Sequence, residues 1–348
     1  MTATVETSSQ ALSQRPAVRT VLAMATAFVV FGLLLVANGS NPIEGYQAMW
    51  NSVTRDANSF GDVLVRLTPY LLAALAVIVP ARAGLFNIGG EGQLLVGAIG
   101  AMATANLLGQ ELTRTPTLIL MALGAMLAAA VWVGVAAALR IFTGTNEAIS
   151  TLLSNYLAVL LLGYLVFGRW KDPGATGFPR SRLFTDAEQL PILWGRVHIG
   201  IIVALVAAVV VWVTLRSTRW GFRLRVLGGN PEAARRAGFS SGWLSASALM
   251  AGGALAGLGG MLQVSGVEAQ LRPAIMSGYG FTGVLAAWMV RQHPLRAIAS
   301  AALLAAVAVG GNGLKIRAGL SSASVNILMA LLLIAVLGWA RPVKEAKS

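Results

Sequence analysis

The sequence predicts an all-α membrane protein that crosses the bilayer about ten times. Hydrophobic residues make up 56% of the 348 residues, the mean hydropathy is +0.73, and only 11% of the residues are charged. An ordinary soluble domain carries about 25% charged residues. Apolar runs of about 20 residues, the length that crosses the hydrocarbon core, recur along the chain. A soluble core could not absorb this much apolar surface.

The chain begins with a polar segment, residues 1–14, which we expect to be disordered in the cytoplasm. One membrane domain follows over residues 15–340, and residues 341–348 form a cytoplasmic tail. Asn38–Asp62 and Arg169–Arg196 are predicted external loops. Tyr279–Val290 is too short to span as a straight helix. The predicted crossings are Val21–Ala37, Val63–Ala81, Leu94–Leu108, Thr117–Leu139, Asn146–Phe167, Val197–Leu215, Trp243–Val267, Tyr279–Val290, Ala297–Leu314 and Leu320–Trp339.

The basic residues predict the orientation. The net charge is +13, and the arginines lie mostly at the ends of apolar runs. With an even number of crossings both termini share one side, which also collects most of the basic loops. The bias of Lys and Arg towards cytoplasmic loops identifies that side as the cytoplasm. Anionic lipid headgroups are the expected neighbours, and no nucleic-acid partner is expected, because no basic stripe lies among aromatics on a polar domain.

The most unusual stretch lies between the second and third crossings, at Arg82–Gln93, with the sequence RAGLFNIGGEGQ. Each of its glycines costs a helix interior about 1 kcal/mol relative to alanine. Irregular backbone at membrane depth is tolerated only inside protein or beside a water-filled cavity, and an acid such as Glu91 there indicates function. We predict a broken helix beside a polar pathway that includes Phe86, Asn87 and Glu91. A tight surface loop is the alternative.

A second polar group opens the fifth crossing. Its polar residues fall at spacings of one and four, so they lie along one half of the predicted helix. They are Asn146, Glu147, Ser150, Thr151, Ser154 and Asn155. Serine and threonine alone would be ordinary hydrogen-bonding residues between membrane helices. The added asparagines and glutamate favour a stripe that faces a cavity.

The segment Ser277–Gly283, SGYGFTG, has the same character as the central stretch. Its glycines open an apolar run that is too short to span, which predicts a second broken helix, related to the first by an internal repeat. Tyr279 and Phe281 are candidates for stacking on a planar solute. Anchoring at the membrane interface is the alternative role for both rings.

The basic loop, residues 216–242, contains a short predicted helix. Asn230 is a favourable N-cap and Pro231 suits the first helical position. Glu232 favours the positive end of the helix dipole, and Gly238 would end the helix. A charged helix in a cytoplasmic loop is a docking surface for a partner protein. Contact of its arginines with lipid headgroups is the alternative.

Four motifs carry a resemblance to a known family. Glu232, Ala233 and Ala234, followed by Gly238, resemble the EAA-type coupling loop of ABC-importer permeases. The other three motifs resemble permeases that import branched-chain amino acids, ribose-type sugars and nucleosides. They are GLFNIGGEGQ at Gly84–Gln93, TNEAISTLLSNY at Thr145–Tyr156 and GYGFTGVLAA at Gly278–Ala287. The sequences around Asn87–Gln93 and Gly278–Gly283 are most similar to those of nucleoside and simple-sugar permeases. The resemblance runs from about Val63 to the C-terminus.

The resemblance implies a type II importer fold, similar to the vitamin B12 importer permease, in the bacterial inner membrane. It implies three partners: an ATP-binding cassette ATPase, a second homologous permease and an extracytoplasmic solute-binding protein. The expected solute is a nucleoside, with a ribose-type sugar as the alternative. The residues expected to couple to the ATPase are Arg223, Asn230, Pro231, Glu232, Ala233, Ala234 and Gly238.

The chain is not expected to be an enzyme. It has no GxxxxGK[ST] phosphate loop, so ATP hydrolysis is expected in the separate ATPase subunit. It contains no cysteine, and its two histidines, His198 and His293, are far apart in sequence, so no metal, cofactor or catalytic set is expected. A proton-coupled secondary transporter that uses Glu91 or Glu147 is the remaining alternative.

Overall fold

The computed structural model describes residues 16–108, 112–273, 275–276, 278–318 and 321–339. The predicted disordered segment 1–14, the predicted tail 341–348 and Ser277 lie outside these residues. The helices are α1 Pro16–Ala37, α2 Pro42–Thr54, α3 Ala57–Ala81, α4 Gly90–Leu108, α5 Arg114–Thr143, α6 Glu147–Phe167, α7 Gly200–Ser217, α8 Arg219–Gly229, α9 Pro231–Arg236, α10 Ser241–Gln263, α11 Tyr279–Met289, α12 Arg296–Ala318 and α13 Ser322–Trp339. A π-helical turn, Val264–Glu268, extends α10.

Six helical segments are long and apolar enough to cross a membrane within the described part of the chain. They are Ala57–Ala81, Arg114–Thr143, Glu147–Phe167, Gly200–Ser217, Ser241–Glu268 and Arg296–Ile316. Val21–Ala37 and α2 would add a seventh as one span, bent by 118°. The chain is therefore a polytopic helical membrane protein, as its composition predicts.

The chain divides into two compact units, residues 1–59 with 306–348 and residues 60–305. In the first unit, α1 packs against α13, and α2 packs closely against the C-terminal half of α12. A Cβ at Gly45 would lie 3.2 Å from the Leu314 side chain, and one at Gly313 would overlap the Ala48 carbonyl. Small residues therefore let these helices approach closely.

The prediction that Asn38–Asp62 is an external loop is wrong, because α2 and the start of α3 lie within it. The Asn41 side chain accepts a hydrogen bond from the Ile43 amide at 3.0 Å, and Pro42 occupies the first turn. These are standard helix-start signals. The low hydropathy of the segment obscured them.

In the second unit, glycines bring α4, α5 and α10 close together. A Cβ at Gly97 of α4 would overlap the backbone of Gly257 in α10, and a Cβ at Gly257 would overlap the Ala125 carbonyl of α5. A Cβ at Gly260 would overlap the Leu94 carbonyl. Glycine at such crossings permits backbone approach between membrane helices. This core supports the loop that connects α3 to α4.

The predicted external loop Arg169–Arg196 is folded. Arg182 donates two hydrogen bonds to the Glu188 carboxylate, at 2.7 and 2.8 Å, and Glu188 is almost fully buried. The loop ends in an antiparallel hairpin of β1, Ile192–Trp194, and β2, Val197–His198. The predicted start of the next crossing at Val197 is therefore wrong, since α7 begins at Gly200.

Candidate functional site

A break separates α3 from α4, as predicted for Arg82–Gln93. Helix α3 ends at Ala81 and α4 begins at Gly90. Gly84 has φ +74°, a left-handed conformation that favours glycine, and the Leu85 amide bonds back to the Pro80 carbonyl at 3.2 Å. The backbone of residues 85–89 then needs hydrogen-bond partners outside a helix.

Two buried amide side chains, Asn87 and Gln93, form hydrogen bonds to each other across the break. Asn87 Nδ2 donates to Gln93 Oε1 at 2.9 Å, and Gln93 Nε2 donates to Asn87 Oδ1 at 2.8 Å. Asn87 also donates to the Ala76 carbonyl of α3 and accepts from the Gly89 amide, each at 3.1 Å. The pair therefore ties the last turns of α3 to the first turn of α4.

One face of α6 supplies partners for the backbone of the break. Glu147 Oε1, Thr151 Oγ1 and Asn155 Oδ1 accept from the amides of Phe86, Ile88 and Gly92 at 3.1, 3.2 and 2.8 Å. Their four-residue spacing aligns them along one helix face. Asn155 also donates to the Ile88 carbonyl at 3.1 Å, and Arg140 pairs with Glu147.

Two of the remaining polar residues predicted for this stripe, Asn146 and Ser150, bond to the backbone at the start of α6 itself. Asn146 is its N-cap, accepting from the Ala148 amide at 2.8 Å. The Ser150 hydroxyl donates to the Asn146 carbonyl at 3.1 Å. Asn146 is exposed and Ser150 is half-buried, whereas Glu147 and Asn155 are buried.

Glu91 joins the break to α11. Its Oε1 accepts from the Gly278 amide and its Oε2 from the Gly280 amide, each at 2.6 Å. Because the first amides of a helix lack intrahelical partners and carry positive partial charge, a carboxylate is well suited to this position. A Cβ at Gly280 would overlap the backbone of Gly90 and Glu91. The two segments predicted separately as broken helices are therefore in direct contact.

Five aromatic rings border this contact. Phe86 stacks on Trp288 of α11 with ring centroids 5.7 Å apart and planes 6° apart. Tyr279 meets Tyr70 of α3 edge to face at 5.3 Å. Phe86 is 50% exposed and Phe281 is 46% exposed, so each presents ring surface at the edge of the break.

The predicted short helix of the basic loop is confirmed as α9, Pro231–Arg236. Asn230 Oδ1 accepts from the Ala233 amide at 3.0 Å, and Gly238 has φ +74°. Glu232 is half exposed and pairs with Arg235 at 2.6 Å and Arg236 at 3.0 Å. Arg223 lies over the Phe239 ring at 5.4 Å. Ala234 is buried, and Ala233 is exposed.

Helix α8, which was not predicted, reaches from this loop to the break. A Cβ at Gly228 would overlap the Arg82 carbonyl and lie 2.9 Å from the Gly84 nitrogen. Arg82 Nη2 also donates to the Gln292 carbonyl, at 2.9 Å, in the connection between α11 and α12. We call this meeting of Arg82, Gly84 and Gly228 the glycine joint. It connects the basic loop directly to the break.

Several residues of the site were not identified from the sequence. Gln93 completes the hydrogen bonds of the break, Arg140 pairs with Glu147, and Trp288 stacks on Phe86. Gln93 is a polar residue at the start of an apolar run, so an available signal marked it. The partners of Arg140 and Phe86 have no local sequence signal.

We expect Asn87 and Gln93 to be strongly coupled in stability. Asn87→Leu or Gln93→Leu leaves a buried amide unpaired, at a cost of about 1–3 kcal/mol each. The double variant should lose less than the sum, with a coupling free energy of about 0.5–3 kcal/mol. Thermal unfolding in detergent measures all three. Asn87→Leu combined with Thr117→Val, whose hydroxyl donates to the carbonyl of Thr113 at the N-cap of α5, should be additive. Additivity in the Asn87 and Gln93 pair would contradict the reciprocal bonding.

Comparison with known proteins relates most of the chain to one family. Residues 59–337 match the family described as "Branched-chain amino acid transport system / permease component". The chain is 37% identical over 328 residues to the glucose ABC transporter permease protein TsgB13 of Haloferax volcanii, across 90% of this chain and 85% of that protein. It is 29% identical to the guanosine ABC transporter permease proteins NupP and NupQ of Bacillus subtilis. These alignments span 87% and 68% of this chain and 88% and 76% of those proteins.

Proposed function

Because the chain belongs to the branched-chain amino acid transport system permease family, we propose that it forms the translocation pathway of an ATP-driven importer for a small polar solute. The single observation that carries the proposal is the match over residues 59–337, which includes both halves of the break and the basic loop. Nothing in this role requires the chain to catalyse a reaction. ATP hydrolysis belongs to a separate ATPase subunit.

The proposed arrangement has ten crossings of the type II importer kind, with both termini in the cytoplasm. It counts α1, α4, α11 and α13 as crossings in addition to the six long apolar segments. The basic residues of α8 and α9 then lie on the cytoplasmic side, as the bias of arginine predicts. The folded loop 169–196 faces outwards.

We propose three protein partners. An ATPase subunit docks on α8 and α9, through Arg223 and the segment Asn230–Gly238. A solute-binding protein docks on the outer face. A second, homologous permease completes the pathway, and the similarity of this chain to both NupP and NupQ of one organism supports a pair of different permeases.

The proposed pathway runs beside the break. Phe86 in the break and Phe281 in α11 carry exposed ring surface, and Tyr279 lies two residues before Phe281 in α11. Asn87, Glu91, Glu147 and Asn155 hold the backbone that shapes the pathway, and Asn146 and Ser150 lie at its α6 end.

The first candidate solute is a nucleoside. The exposed rings suit a planar base, since aromatic pairs stack face to face with an offset. Relatives named for guanosine transport add support. The second candidate is glucose, which is favoured by the identity of 37% to a permease named for it.

Movement of the ATPase reaches the break through the glycine joint. ATP binding closes the ATPase against α9, and α8 carries the displacement to Arg82 and Gly84. The break then moves with α11, because Glu91 holds both segments. The polar backbone of the break becomes accessible to the solute only after the break and α11 have moved.

The test of the docking assignment is Glu232→Arg. Exposed ion pairs contribute about 0–1 kcal/mol, so the variant should fold normally. We expect it to lose most of the co-purifying ATPase and at least about nine tenths of uptake, which corresponds to 1.4 kcal/mol. Asp186→Arg, an exposed acid of the outer loop, is the matched control for ATPase binding and should retain the co-purifying ATPase. Normal uptake by Glu232→Arg would refute docking at α9.

The solute assignment is tested by uptake of labelled guanosine and labelled glucose in cells with and without the gene. Gene-dependent uptake of guanosine, suppressed by unlabelled nucleosides and not by glucose, is the expected result. The reverse pattern would select the second candidate. Uptake that persists without any ATPase and follows the proton gradient would instead support a secondary transporter.

A further inference from the structure

An apolar groove lies where α3, α5, α7 and α10 meet the start of α8. Its cavity volume is about 230 Å³, and its lining includes Val79, Met126, Val211, Leu215, Trp220 and Leu255. The one polar atom of Trp220 is engaged, because Nε1 donates to the Ser247 hydroxyl at 3.0 Å. A polar solute would find few partners in this groove, whereas a hydrocarbon chain would fill it.

The helix turn beside the groove carries an unusual excess of positive charge. Arg216, Arg219, Arg223 and Arg225 lie within ten residues, and no acidic residue occurs between Glu188 and Glu232. All four are exposed, and none forms an ion pair with a described residue. Arg216 lies over the Trp212 ring at 5.3 Å, and Arg225 donates to the Leu215 carbonyl. Aromatic rings and a carbonyl carry no full negative charge, so most of this positive charge has no counter-ion among the described residues.

The groove and the charge adjoin each other. Leu215 and Trp220 line the groove, and Arg216 and Arg219 lie between them in the sequence, at the turn from α7 to α8. This turn ends an apolar helix that is long enough to span a membrane, so it lies at headgroup depth. An anionic membrane lipid combines a hydrocarbon chain, which suits the groove, with a negatively charged headgroup next to it, which suits the arginines.

We propose that this groove binds one anionic glycerophospholipid, with an acyl chain against Val211 and Leu255 and the phosphate at Arg216 and Arg219. Near a membrane surface each arginine contributes about 1 kcal/mol of attraction to anionic lipid. The bound lipid also supports α8, whose Gly228 forms the glycine joint. Lipid binding itself requires only that α7 spans the membrane, so it stands apart from the proposed transport function.

Native mass spectrometry of the detergent-purified chain tests the site. Equimolar palmitoyl-oleoyl phosphatidylglycerol and phosphatidylcholine present the same chains with different headgroup charge. We expect one phosphatidylglycerol to be retained with at least about tenfold preference. The double variant Arg216→Gln with Arg219→Gln should reduce that preference to less than about threefold.

Two further variants separate the groove from general surface charge. Arg235→Gln with Arg236→Gln removes the same charge from α9, where both arginines pair with Glu232, and should leave the preference unchanged. Ala254→Phe fills the groove and should reduce retention of both lipids.

Three outcomes would overturn the site. Equal retention of the two lipids by the unmodified chain is the first. The second is an equal loss of phosphatidylglycerol preference in the two arginine double variants. This outcome does not depend on whether Ala254→Phe folds. A lipid-free dimer, with cross-links between groove residues of two copies, would assign the groove to a protein interface instead.

Discussion

Gly280→Ala is expected to abolish uptake and to destabilise the protein. A Cβ at this position would overlap the backbone of Gly90 and Glu91, which cannot move aside as a flexible side chain could. Helix α11 would have to shift away from α4, and the two bonds from Gly278 and Gly280 to Glu91 would lengthen or break. Overpacking costs about 1–3 kcal/mol, and a hydrogen bond to a charged group is worth about 1.5–3 kcal/mol. We expect a decrease in Tm of roughly 10 °C.

Gly163→Ala is the matched control, because Gly163 lies inside α6 and a Cβ there meets nothing within 4 Å. Alanine stabilises a helix interior by about 0.5–1 kcal/mol relative to glycine, so its Tm should not decrease. Thermal unfolding in detergent and uptake in cells measure both variants. A Gly280→Ala protein with the stability and uptake of Gly163→Ala would contradict the close contact of α4 and α11.

Gly228→Ala is expected to separate ATP hydrolysis from transport. The added methyl group would overlap the Arg82 carbonyl and approach the Gly84 nitrogen, so α8 would shift away from the glycine joint. Most of the proposed docking surface, the segment Asn230–Gly238, lies further along the chain and keeps its own cap, so the ATPase should still bind. In proteoliposomes with the partner subunits we expect ATP hydrolysis to continue while uptake falls at least about tenfold, equivalent to 1.4 kcal/mol.

The neighbouring residue provides the control. A Cβ at Gly229 meets nothing within 4 Å, so Gly229→Ala should hydrolyse ATP and transport normally. Equal transport by the two variants would show that the contact between α8 and the break carries no displacement. Loss of ATPase binding in Gly228→Ala alone would assign Gly228 to docking rather than to coupling.

Local signals were enough to predict the break and the short helix of the basic loop. The glycines of Arg82–Gln93 weaken a helix whatever their surroundings, and Asn230 with Pro231 marks a helix start through contacts within four residues. The polar face of α6 also followed from spacing, because residues four apart share a helix face. Such features depend on neighbours in the sequence.

The partners of these features could not be predicted from the same signals. Glu91 and Gly278 are 187 residues apart, and Gly84 and Gly228 also meet only through the packing of whole helices. The α6 stripe was expected to face a cavity, yet its buried members bond to the backbone of residues 86–92. From sequence alone, a polar residue that faces water and one that faces an irregular backbone look the same.

The sequence distance between the two halves of the Glu91 contact has a consequence for biosynthesis. The α6 residues that hold residues 86–92 emerge from the ribosome within 61–67 residues of them, whereas Gly278 follows Glu91 by 187. At a translation rate of about 5–20 residues per second, synthesis from Glu91 to Gly278 takes roughly 10–40 s. Only then can the Glu91 carboxylate accept its hydrogen bonds from the amides of Gly278 and Gly280. During that interval the nascent chain holds an unpartnered acid within an apolar stretch. In the proposed ten-crossing arrangement, where α4 is a crossing, insertion of α4 therefore either follows the synthesis of α11 or depends on the insertion machinery to shield this side chain.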